Sequence, residues 1–233
     1  MFKKTAAVLI AFILPLIPLS ANSFWDDFYW AGLGNISYFA ADNGVDSDPA
    51  PIIPSLGFSL AWQFWGSLRV ELTEDIYFNN YEYNSERGYP MACNPENRSS
   101  FVVGFVTSIQ LTGVFPIGDS GIAARVYGGP AADFRIVAWA IGLNHPGDLT
   151  GDIKTDPRLQ TSAIADYFWG KGRWFMPVFG AGMDFPISEK LLLGFDLRTW
   201  FPMYKLWTND DTPAIDGWRF GAGLRITPRK KPQ

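Results

Sequence analysis

The sequence predicts an all-β fold: an eight-stranded antiparallel transmembrane β-barrel with short turns at one end and long loops at the other. Three observations carry that prediction. Hydrophobic residues alternate with period two along most of the chain. The strands so inferred are joined by links that alternate between tight and long. The polar face of the strands holds glycine, small residues, arginine and acids, with no lysine at a strand centre.

Composition sets the frame. In 233 residues the chain carries 16% aromatic and 18% charged residues with 23 glycines, a palette suited to pleated strands rather than helices. Its formal charge of -4 offers no basic stripe, which excludes a nucleic-acid partner on electrostatic grounds.

The N-terminus, "MFKKTAAVLIAFILPLIPLSANS", has two lysines, an apolar run and then small residues. That is the order of a cleaved secretory signal over 1–23, cut before Phe24. Pro15 and Pro18 interrupt a run already short for a membrane-spanning helix. No later apolar run reaches spanning length. Cys93 is the single cysteine, so an intramolecular disulfide is excluded and a passive thiol is expected, with an intermolecular bond as the alternative.

The strands follow in order. The first lies in "FYWAGLGNISYFA" (28–40), and its inward parity is not fixed by its residues. Residues 56–64, "LGFSLAWQF", set Leu56, Phe58, Leu60, Trp62 and Phe64 against Gly57, Ser59, Ala61 and Gln63. A turn at Gly66 leads to "LRVELT", with Leu68, Val70 and Leu72 opposite Arg69, Glu71 and Thr73, a hairpin by its tight link. Residues 101–115 place Val103, Phe105, Ile109, Leu111 and Phe115 opposite Gly104, Ser108, Gln110 and Thr112. After a turn at 118–121, Arg125 and Tyr127 oppose Ile122, Ala124 and Val126. The stretch from 179 to 201 gives two more strands around Ser188, with Phe179, Met183, Phe185, Leu191, Leu193, Phe195 and Leu197 on the apolar face. The eighth is "GWRFGAGLRI" (217–226), which alternates Trp218, Phe220, Leu224 and Ile226 with Arg219, Gly221, Gly223 and Arg225. Long links fall at about 41–54, 79–100, 130–173 and 202–215. The barrel then covers 24–228, with a short basic tail at 229–233.

A soluble barrel has the same period, so the polar face decides. In water it would carry hydrated lysines; here Lys154, Lys171, Lys190, Lys205, Lys230 and Lys231 all fall in loops, at strand ends or in the tail. Eight strands leave a bore just wide enough for side chains. Glycines make room in it for arginines, and burial demands that each charge have a partner. The expected lumen network pairs Arg69, Arg125, Arg198, Arg219 and Arg225 with Glu71, Asp184 and Asp196. The apolar face meets lipid, with aromatic belts at the turn side (Tyr29, Trp30, Trp62, Phe64, Trp65, Phe115, Phe185) and the loop side (Tyr77, Phe101, Trp174, Phe175, Phe201, Trp218).

On this architecture the chain, from about Phe28 to Ile226, resembles the small eight-stranded outer-membrane proteins of the OmpX, OmpW and OmpA-barrel class. The resemblance implies an outer-membrane location, lipid as the surrounding partner and a barrel assembly machinery that reads the last strand. Arg219, Gly221, Leu224 and Ile226 match the family's assembly pattern. The family usually ends on the aromatic residue of that strand, whereas this chain continues through "TPRKKPQ", a style that resembles spirochaetal relatives.

Some outer-membrane barrel enzymes join histidine with serine and a carboxylate; here His145, with Ser162 and Asp148 or Asp166, has no supporting spacing, and no enzyme is expected. Asp42, Asp46 and Asp48 in the first loop and Asp210 and Asp211 in the last become neighbours when the barrel closes. They form a candidate calcium or magnesium site whose spacing fits no EF-hand, so a solvated acidic rim and no cofactor are expected. The link at 130–173 is too apolar for a tether; it extends the strands, folds a short helix or tucks into the mouth as a lid. Two functions remain. One is envelope structure or surface interaction through the outer loops, with a host or surface ligand, above a plugged polar lumen. The alternative is a narrow channel for small hydrophobic solutes, OmpW-like, with a lateral exit; the inward parity of Val102, Val106, Val178 and Leu192 suits it.

Overall fold

A computed structural model describes residues 27–40, 52–139, 149–208 and 217–229. Among the described residues the strands are β1 (Phe28–Ala40), β2 (Ile52–Trp65), β3 (Leu68–Asn84), β4 (Tyr89–Ala92), β5 (Ser100–Ile117), β6 (Ile122–Gly129), β7 (Ala131–Trp139), β8 (Val178–Pro186), β9 (Leu191–Trp200) and β10 (Trp218–Pro228), with one α-helix, α1 (Pro157–Trp169). The signal segment, the segments at 41–51, 140–148 and 209–216 and the tail from 230 lie outside the described residues.

Every pairing is antiparallel, and the sheet closes on itself. β1 pairs with both β2 and β10, β3 with β5, and the circuit returns through β6, β8 and β9. β6 and β7 are one strand in two pieces. Leu111 stands opposite Gly128 and Ser108 opposite Ala131, so the register runs unbroken through Pro130. Proline has no N–H for the ladder, but its carbonyl still accepts from the Ile109 N–H at 3.0 Å. With that strand counted once the barrel has eight strands, and β4 is a short return strand on the upper part of β3.

The closed ladder gives each of the eight barrel strands two neighbours, as hydrocarbon requires. Side-chain parity is the same all round. In β1 the odd residues point inward, with Ala31, Leu33, Asn35, Ser37 and Phe39 buried. The outward positions are large and apolar: Trp30 is 61% exposed, Leu56 74% and Leu197 69%. A wall of this kind has the chemistry of a surface made for lipid. None of the described helices is long and apolar enough to cross a membrane.

The tight links fall at Gly66, at Gly118 to Gly121 and at Ser188. Gly66, Gly118 and Gly121 have φ of 52, 58 and 75°, a region that glycine enters without strain. The loop-side links differ from the sequence expectation. β3 runs to Asn84, beyond the expected start of the long link at about 79, and turns back into β4. Residues 131–139, expected as part of a long loop, continue the wall as β7. Then α1 begins at Asp156, whose carboxylate accepts from the Arg158 backbone N–H at 3.0 Å, with Pro157 in the first turn, where its missing donor costs nothing. The helix sinks Ile164 and Phe168 onto Tyr81, Tyr89, Ala92 and Val102 on the inner side of the wall. Full burial of each such side chain contributes about 2 kcal/mol. The three expectations for this segment are therefore realised together: an extended strand, a helix, and a lid tucked into the mouth.

Candidate functional site: a lumen closed by ion pairs

Alternation sends every second residue of eight strands into one bore, and what arrives there is charged. Five arginines (Arg125, Arg135, Arg198, Arg219, Arg225) and five carboxylates (Glu71, Asp75, Asp133, Asp184, Asp196) are buried inside. Equal numbers matter because an unpaired buried ion costs several kcal/mol.

Near the turns, each nitrogen of Arg225 of β10 donates once: Nη1 to Glu71 Oε1 at 2.5 Å, Nη2 to Ser59 Oγ at 3.0 Å and Nε to Thr227 Oγ1 at 3.3 Å. Thr112 Oγ1 donates to the other Glu71 oxygen at 3.3 Å. Beside this pair, Arg125 of β6 bridges two strands, with Nε 2.8 Å from Asp184 Oδ2 and Nη2 3.1 Å from Asp196 Oδ1. Gly182 and Gly194 make the space: a Cβ on either would press within about 3 Å of Arg125 Nη2.

At mid-height Arg198 Nη1 reaches across to Asp75 Oδ2 at 2.8 Å, and Asn35 Nδ2 donates to Asp75 Oδ1 at 2.6 Å. Thr73, Ser108 and Gln110 knit β3 to β5, with Gln110 Nε2 donating to Ser108 Oγ at 2.7 Å.

Toward the loops, Asp133 of β7 is the hub. Tyr77 OH donates to both its oxygens at 2.9 Å, and Arg135 donates to Oδ2 from Nε at 3.0 Å and from Nη2 at 2.7 Å. Arg219 is wholly buried, with its guanidinium among Phe39, Trp200 and Tyr77 at 4.7, 4.7 and 5.0 Å from the ring centroids, so ring faces supply much of its electrostatic support. Above this layer the Arg135 guanidinium lies 4.3 Å from the Phe168 ring of α1. The lid helix thus rests directly on the ion-pair column.

Several expectations need correcting. Arg69, assigned to the ion-pair network, joins no carboxylate among the described residues; it lies 3.9 Å over the Tyr29 ring and donates to Gln63 Oε1 at 3.4 Å. Strand β3 carries it too near the turn to reach a partner. Tyr29 and Tyr77, assigned to the lipid belts, point inward, because residue 29 shares the odd parity of β1 and Tyr77 that of Glu71. Asp75, Tyr77, Asp133 and Arg135 were missed. The signal was present: alternation runs on from Glu71 through Thr73, Asp75 and Tyr77, and Asp133 and Arg135 continue it in "AADFRIVAW".

Val102, Val106 and Val178 do face inward, but no open pocket surrounds them. Val106 and Val178 pack with Phe39, Ile53, Met176 and Trp200, and Val102 with Ile164 and Phe168. Leu192 lies lower, at the turn-side mouth. On β10, Arg219 points into the cage while Leu224 and Ile226 face outward. Ser162 and Asp166 sit exposed on α1. Their supposed partners His145 and Asp148, and the acidic residues Asp42, Asp46, Asp48, Asp210 and Asp211, lie outside the described residues. Cys93 is half-buried just after β4.

The outward face of β3 carries a carboxylate among apolar residues. Glu74 points outward between Leu72 and Ile76, and Thr107 Oγ1 donates to its Oε2 at 2.6 Å.

No protein-family model matches the chain, and no curated protein matches it. Among solved structures it is similar to Neisserial surface protein A, at 10% identity over 88% of this chain and 97% of that one, with a TM-score of 0.45. The outer membrane protein OprG of Pseudomonas aeruginosa is 12% identical over 86% and 94%, with a TM-score of 0.48. Ail, the attachment invasion locus protein of Yersinia pestis, is 10% identical over 87% and 97%, with a TM-score of 0.45. None of these three is spirochaetal. Likeness at this level carries no activity or ligand across.

Proposed function

We propose that the protein is an outer-membrane barrel without catalytic activity, plugged by its own ion pairs, that serves envelope structure or surface interaction through its outer loops. Lipid surrounds the wall, the barrel assembly machinery reads Arg219, Gly221, Leu224 and Ile226, and a host or surface molecule is the loop partner. The observation that carries this reading is the interlocked column of five arginines and five carboxylates, which leaves the bore filled by paired charge and capped by α1. Paired charges of this kind fill and fix a narrow barrel, although Arg198 Nε and Arg219 Nε find no hydrogen-bond partner among the described residues.

The hydrophobic-solute alternative needs an apolar path above the charged layers. Met176, Ile164 and Phe168 occupy that region, which favours the plugged reading.

The test is single-channel conductance of the refolded protein in a planar bilayer, beside the Arg198→Ala, Arg219→Ala double variant. Silence from the wild type with steps from the variant supports a plug. Discrete steps from the wild type overturn it and point to solute transport.

A further inference from the structure

We propose that the turn-side mouth of the barrel is a binding site for a small phosphate-type oxyanion, gripped by Arg69 and Arg229. This goes beyond the loop-centred function above, since it lies at the opposite end of the barrel and needs neither a closed lumen nor a loop partner.

A cavity of about 290 Å³ opens beneath the lowest ion pairs, lined by Tyr29, Arg69, Asp184, Leu192, Arg225 and Arg229 among others. A water molecule occupies about 30 Å³ of liquid, so there is room for an anion and part of its hydration shell. Three guanidiniums and one carboxylate face the space. Two of these groups are already engaged, because Arg225 is ion-paired with Glu71 and bonded to Ser59 and Thr227, and Asp184 Oδ2 is held by Arg125. Arg69 and Arg229 form no ion pair with any described residue. Two guanidiniums therefore face the cavity without an ion-pair partner among the described residues.

Arg69 is held through its side chain and Arg229 through its backbone. Arg69 is braced over the Tyr29 ring and tied through Nε to Gln63, which leaves its two terminal nitrogens as a planar pair of donors. The Arg229 backbone N–H donates to Lys190 O at 2.7 Å. Its Nη2 lies 3.5 Å from where a Cβ on Gly121 would stand, so the side chain extends from the end of β10 to the β5–β6 turn. Such forks match the edge of a tetrahedral oxyanion, and the partial burial of Arg69 protects its attraction from salt. The phosphate comes from one of two sources, a soluble phosphate or a lipid headgroup of the facing leaflet.

The experiment uses the full refolded barrel, labelled with ¹⁵N, in maltoside micelles that carry no phosphate. Inorganic phosphate is titrated at constant ionic strength while the Arg69 Nε–H resonance is followed. A second arm uses nanodiscs of phosphatidylcholine with and without phosphatidylglycerol, free of inorganic phosphate. A saturable shift with inorganic phosphate, weakened about tenfold by Arg69→Gln or Arg229→Gln, supports the site with a soluble source. A shift only when phosphatidylglycerol is present supports it with a headgroup source. No saturable response in either arm, or unchanged affinity in both variants, overturns it. Arg229 is exposed at a strand end, so Arg229→Gln keeps the test decisive should Arg69→Gln fail to fold.

Discussion

Arg219 Nη1 stands 3.8 Å from Asp133 Oδ2 across the bore, while Arg135 approaches the same oxygen to 2.7 Å. One carboxylate thus answers two buried guanidiniums. Asp133→Asn keeps the shape and removes the charge, leaving both arginines uncompensated. It should destabilise the folded barrel by about 3–5 kcal/mol, read as the urea midpoint of reversible unfolding in lipid vesicles. Adding Arg135→Gln to Asp133→Asn should return part of that loss, and strict additivity of the two changes would show that the hub is not coupled.

The fold was legible because period-two alternation is written into every barrel strand, and the inward parity of Arg125, Arg198, Arg219 and Arg225 followed from it. The site was only half legible. Glu71 is placed inward by its alternation with Val70 and Leu72, yet Asp75, four residues on, escapes the expected network because Glu74, a carboxylate on the outward parity, breaks the alternation there. Asp133 and Arg135 were lost because Pro130 reads as a strand breaker, whereas here it costs one ladder bond in an otherwise continuous register. Partner choice also escapes the sequence: nothing local in "GFDLR" says that Arg198 of β9 pairs with Asp75 of β3, since that contact depends on barrel closure and shear.

The lid makes a separate prediction. Phe168 buries its ring against Tyr81, at a centroid distance of 4.9 Å, and under the Arg135 guanidinium. Phe168→Ala should release α1 while the barrel stays intact, since no ladder bond passes through the helix. Limited proteolysis should then cut within 157–169 at least about tenfold faster, with unchanged gel mobility of the folded barrel. Unchanged cleavage would mean that the helix is held elsewhere.

The start of that helix is pH-sensitive. Hydrogen bonds and charge from Arg158 hold the Asp156 carboxyl below the ordinary carboxylate range. A depressed folded value means the stabilisation is present above the unfolded value of about 4 and is lost progressively as the pH falls below it. Amide exchange in 157–160, corrected for intrinsic rates, should be flat from pH 7 to about 5 and rise below about 4. Asp156→Asn should abolish the pH dependence; its survival in that variant would assign the transition to another group.

Glu74 makes the last prediction. A carboxylate on the lipid-facing wall must shed water for the single hydrogen bond from Thr107, and acidic residues there cost less than basic ones but still cost. Its neighbours along the face, Leu72 and Ile76, show what the position would hold on stability grounds alone. Glu74→Leu should therefore stabilise the barrel in vesicles by about 1 kcal/mol, measured from the same urea midpoint. Glu74→Gln should fall between the two, because an amide is cheaper to desolvate than a carboxylate and still accepts from Thr107. Loss of stability in Glu74→Leu would mean that the Glu74 and Thr107 pair outweighs its desolvation, and would give the pair a structural role in joining β3 to β5.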